Sequence, residues 1–116
     1  MNKYIHTSQR LISYCDSLKR AEVLEKSVMS EYGFKLTKEN EFLYSEECSA
    51  VTDFFSSQYN GTPIGVMFIL QQGKVIEDVI RKFKSICSIS EEHLIRLHEA
   101  HTIRMNVYES LAFASL

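Results

Sequence analysis

His98 and His101 stand three residues apart, a step that places two imidazoles on one helix face, within reach of one metal ion. Zinc needs at least a third protein ligand. His93 lies five residues before His98, on a different face, and His6 belongs to a distant segment. There is no HExxH motif and no Glu-x-x-His step, so neither a zinc-protease nor a di-iron carboxylate site is indicated. The pair reads as two histidines in a helix seam, each with a polar partner. No metal or cofactor is expected.

Nucleophilic chemistry is no better supported. Cys15, Cys48 and Cys87 are odd in number and far apart, and form no Cys-x-x-Cys pair. They read as reduced cysteines packed in apolar segments. No Gly-x-Ser-x-Gly elbow marks a serine, and no glycine-rich phosphate loop is present, so no catalytic residue is assigned and an enzyme is not expected. Arg81, Lys82 and Lys84 form a small basic group that a helix C-terminus accounts for. A duplex-binding face usually spreads more cations than this, which disfavours direct nucleic-acid binding.

The least ordinary feature is the distribution of charge. The 116-residue chain has a formal net charge of −2. Residues 39–73 contain Glu39, Glu41, Glu46, Glu47 and Asp53 and no Lys or Arg, whereas residues 1–38 and 74–84 are net positive. Phe42, Tyr44, Phe54, Phe55 and Tyr59 are interleaved with these acids. Acids gathered on one surface steer a basic partner by long-range attraction, and an exposed aromatic among Tyr44, Phe55 and Tyr59 would anchor it. The bland alternative is a solvated helix face backed by a buried aromatic stripe.

Helices must carry these groups. Leu11, Tyr14, Leu18, Ala21, Leu24, Val28 and Tyr32 recur at three- and four-residue steps, predicting a helix over 8–32. Thr7 or Ser8 would cap it, Gly33 would close it, and Asp16-Ser17 could restart it. Around Lys38-Glu39-Asn40, Phe34 alternates with Leu36 and Phe42 with Tyr44. That alternation predicts a small β-hairpin near 34–44, with a short helix capped by Thr37 as the competing reading. Ser45 then caps a second helix that stops at Asn60-Gly61. Thr62-Pro63 opens a third, running to Ile86, with Gly73 in its interior and a kink or a turn at Gln71-Gln72-Gly73 as the alternative. Ser88-Ile89-Ser90-Glu91 matches a capping box ahead of a last helix over 91–112.

One domain over residues 1–116 is therefore expected: mostly α, an antiparallel four-helix bundle with a possible hairpin. The longest apolar run, Ile64 to Leu70, is too short for a bilayer. No apolar leader follows Met1, so a cytoplasmic location is expected. The functional expectation is a small protein-binding module, concretely an immunity or inhibitor protein that masks a basic toxin or nuclease. Its contacts would be Glu39, Glu41, Tyr44, Glu46, Glu47, Asp53, Phe55 and Tyr59. A secretion or assembly chaperone with an apolar groove, or a small helical regulator that binds nucleic acid, are the alternatives. A homodimer is compatible with each.

Overall fold

The computed structural model describes the backbone of residues 3–60 and 67–114 and the side chains of residues 9–54 and 69–111. Four helices follow in order: α1 (Lys3–Glu31), α2 (Lys38–Asn60), α3 (Met67–Ile86) and α4 (Glu91–Ala114). They form an up-and-down bundle in which α1 packs most extensively on α4, while α3 and α4 meet only slightly. No strand occurs among the described residues.

The expected hairpin is replaced by a helix start. Thr37 Oγ1 accepts a hydrogen bond from the Asn40 amide at 3.1 Å, and the Glu41 amide donates to the Thr37 carbonyl at 3.0 Å. Thr37 is thus the N-cap of α2, and Glu39 and Glu41 occupy its first turn, where the helix dipole favours acids. A lone hairpin has no sheet to join, whereas Tyr44, Glu47, Val51 and Phe54 all fall on the buried side of a continuous helix. Ser45 consequently lies inside α2, its hydroxyl bonded back to the Phe42 carbonyl at 3.0 Å.

The α1 boundary needs a similar correction at one end only. The helix begins at Lys3, ahead of Thr7 and Ser8, and runs through Asp16-Ser17 without a break. Its C-terminus is where the glycine predicts. Gly33 adopts φ +68°, and the Phe34 and Gly33 amides return to the Met29 and Ser30 carbonyls, each at 3.0 Å. This pair of bonds is a Schellman closure, which a residue without Cβ adopts freely. The Thr62-Pro63 start of α3 lies outside the described residues.

At the opposite junction Ser90, rather than Ser88, caps α4. Its hydroxyl accepts the His93 amide at 3.3 Å, and its carbonyl accepts the Leu94 amide at 3.0 Å. Tyr32 reinforces the joint, accepting the Ser90 amide at 2.8 Å and lying 2.8 Å from His93 Nδ1. The other ring nitrogen, Nε2, faces the Glu31 carboxylate. The end of α1 is thereby tied to the start of α4.

Two apolar clusters fill the bundle. Leu18, Ala50, Val51, Phe54, Ile69, Val107, Tyr108 and Leu111 form one. Val28, Met29, Tyr44, Ile76, Ile80, Phe83 and Leu97 form the other. Between them, in the sequence of each helix, lie charged residues: Glu25 on α1, Glu47 on α2 and Arg104 on α4.

Candidate functional site

Glu25, Glu47 and Arg104 are each exposed by 2% or less. Arg104 offers its guanidinium in two directions. NH1 and NH2 donate to Glu25 Oε2 and Oε1, both at 2.9 Å, and Nε donates to Glu47 Oε2 at 2.8 Å. Two tyrosines complete the layer: Tyr44 donates to Glu25 Oε1 at 3.1 Å, and Tyr108 donates to Glu47 Oε2. Such bidentate, charge-assisted bonds offset much of the cost of removing these ions from water.

The balance of charge is uneven, with two carboxylates against one guanidinium. Burial pushes the Glu47 carboxyl above its usual range, and the attraction of Arg104 only partly opposes this. Glu47 Oε1 is buried without a hydrogen-bond partner among the described residues. Burial acts against the charged form of Arg104, yet its bonds to Glu25 and the field of Glu47 hold the guanidinium protonated. Burial, then the neighbouring carboxylates, raise both tyrosine hydroxyls, so they remain donors.

Helix α3 contributes space to this layer. A Cβ at Gly73 would stand 2.7 Å from Tyr108 Cζ and closer still to the hydroxyl. The glycine does not end α3, which runs unbroken through it; it makes room for the ring that reaches Glu47.

On the outside of α2 the remaining acids separate. Glu39, Glu46 and Asp53 follow at seven-residue steps, each about two helical turns, and span about 21 Å. All three are exposed. Phe42 sits between the first two, four residues before Glu46, and is 64% exposed. Glu41 lies two residues beyond Glu39, about 200° round the helix, where it shares grooves with Lys26, Lys35 and Lys38. Among the described residues no Lys, Arg or His nitrogen comes within 4.0 Å of Glu39, Glu41, Glu46 or Asp53.

The expected set is therefore divided. Glu39, Glu46 and Asp53 are brought onto one edge, and Glu41 is not. Glu47 and Tyr44 leave the surface altogether, because their positions face Arg104 and Glu25. The side chains of Phe55 and Tyr59 lie outside the described residues. Sequence reasoning passed over Phe42 as an anchor, and Glu25 and Arg104 as partners. A signal existed for the last two: each occupies an apolar phase of its helix, Glu25 between Ala21 and Val28 and Arg104 between Ala100 and Val107.

The other candidates are modest. His101 Nδ1 lies 2.7 Å from Glu77 Oε1, and exposed His98 stacks beside it with ring centroids 6.3 Å apart. No group of three or more metal-capable side chains occurs among the described residues. Arg81 pairs with Asp78 at 3.2 Å. The three cysteines are free and half-buried, and burial pushes the Cys48 thiol up to about 11, which leaves it little thiolate at neutral pH. Among the described residues no helix is long and apolar enough to cross a membrane. No protein-family model matches the chain, and no curated protein or solved structure matches it either.

Proposed function

We propose that this protein is a binding module that recognises a basic partner protein through the outer edge of α2. An immunity or inhibitor protein that covers the cationic surface of a toxin or nuclease is its concrete form. The observation that carries the reading is the line Glu39, Glu46 and Asp53, exposed, without ion pairs to the described cations and flanked by the exposed ring of Phe42. Nucleases are basic because they hold phosphate, so an acidic line with an aromatic anchor offers both steering and a desolvated contact. The buried Arg104 layer supports the reading indirectly, by fixing which side of α2 is left outside.

The test is affinity capture from the cells that make the protein, using wild type and the triple variant Glu39→Lys, Glu46→Lys and Asp53→Lys. Wild type should retain a basic protein, with an association rate that falls as salt is added. The triple variant should lose it, and Phe42→Ala should weaken it at least tenfold. If the captured protein cleaves nucleic acid, wild type should block cleavage and the triple variant should not. Capture that survives the triple change removes the proposal.

A further inference from the structure

The slight contact between α3 and α4 leaves a cleft of about 310 Å³ between them, at the small end of the range of about 300–1,000 Å³ that small-molecule sites occupy. It cuts deep enough that Glu25 of α1, only 2% exposed, forms part of its floor. Ile80 and Leu97 give it a buried apolar wall, and Leu94 beside them is 41% exposed.

Charge is ordered along this cleft. Glu77 and Lys84 both line it. They are seven residues apart on α3, which sets them on one face two turns apart, about 10 Å along the axis. The Glu77 carboxylate is incompletely satisfied: Oε1 is shut off from water and accepts no hydrogen bond among the described residues. His101 Nδ1 lies 2.7 Å from it, close but not aligned to donate. Lys84 has no ion-pair partner within 4.0 Å among the described residues. Glu25 and Arg81 also line the cleft, but Arg104 and Asp78 already meet their charges. One unmatched charge of each sign therefore stands at either end of an apolar wall.

We propose that this cleft binds a linear zwitterion, an ω-amino acid whose ammonium meets Glu77 and whose carboxylate meets Lys84. Its methylene chain covers Leu94 and lies along Ile80 and Leu97, taking apolar surface out of water. Simpler ligands fit less well. An aliphatic amine leaves Lys84 unmatched, and an aliphatic acid leaves Glu77 without a donor. Length is constrained too, because Glu77 and Lys84 both reach into the about 10 Å that separates their turns. A chain of five methylenes between the two charges suits the gap that remains.

Titration of the full chain with 6-aminohexanoate, followed in proton–nitrogen NMR spectra, tests the proposal. Amides of residues 77–84 and 94–101 should shift and saturate. Hexylamine and hexanoate, each carrying one of the two charges, should bind at least tenfold more weakly. Glu77→Gln and Lys84→Ala should each weaken 6-aminohexanoate at least tenfold, while Lys82→Ala, which does not line the cleft, leaves its affinity unchanged. The same spectra show that each variant keeps the fold. No saturable shift in wild type overturns the proposal. So does equal binding of either one-charge ligand, a shift that maps elsewhere, or an affinity that survives Glu77→Gln or Lys84→Ala. None of these variants touches α2, so the outcome is independent of the function proposed above.

Discussion

Glu46 and Glu47 are neighbours in one helix with opposite fates. Glu47 is sealed in the bundle against Arg104 and Tyr108, whereas Glu46 stands in solvent on a line with Glu39 and Asp53. The 100° turn between consecutive helical residues separates a group that determines how the bundle closes from one free to meet something else. A negative charge interacts weakly at the surface, where water screens it, and strongly inside, where its lost hydration also costs far more. The cation-poor segment therefore supplies one acid to the interior and three to an exposed edge.

The sharpest way to break this contrast is to remove the interior cation. Arg104→Met strands Glu25 and Glu47 in an apolar interior and should cost about 3–5 kcal/mol in denaturant unfolding. A loss below about 1 kcal/mol, the scale of an exposed pair, would erase the distinction between the two regions.

Next in size is Gly73→Ala. In an ordinary exposed helix the change would gain about 1 kcal/mol; against the Tyr108 ring it should instead cost about 1–3 kcal/mol. In a Tyr108→Leu background the penalty should vanish, and a double-mutant cycle reads that coupling directly.

Glu47→Gln sharpens the comparison through pH. Because burial raises the folded-state pKa of Glu47, the folded chain holds that proton more tightly than the unfolded one. Its contribution to stability is fully present below the ordinary glutamate value of about 4.3 and is lost as pH rises through the higher folded value. Subtracting the stability of Glu47→Gln from that of wild type across pH should show this downward slope. A flat difference, or one that rises with pH, would mean that Glu47 is stabilised as the anion.

The smallest effects belong outside. Glu46→Lys and Asp53→Lys should each change stability by no more than about 0.5 kcal/mol. Glu39→Lys should lose about 0.3–1 kcal/mol, because it reverses a charge in the first turn of α2. Chemical denaturation of the three single variants checks the ranking.

Much of the architecture could be read before the structure. Three- and four-residue apolar steps located α1, α4 and the described part of α3, and Gly33 marked the C-terminus of α1 where it falls. The hairpin reading failed because Phe34, Leu36, Phe42 and Tyr44 alternate only locally. The capping hydroxyl of Thr37 and the longer run through Phe54 outweigh that alternation. The site was half legible for a related reason. Composition counts acids, but only helical phase separates Glu46 from Glu47, and phase depends on where α2 begins. Glu25 and Arg104 escaped notice because they are remote in sequence and meet only once α1 and α4 pack.

The layer built on Arg104 also dictates alignment. Hydrocarbon faces slide past one another with little preference, since one methyl resembles the next. A guanidinium bonded to carboxylates on two other helices does not. Shifting α4 by one turn, about 5.4 Å, would set its cation against the aliphatic neighbours of Glu25 and strand both acids. Of all the ways four greasy rods could be stacked, this single polar storey admits one vertical setting.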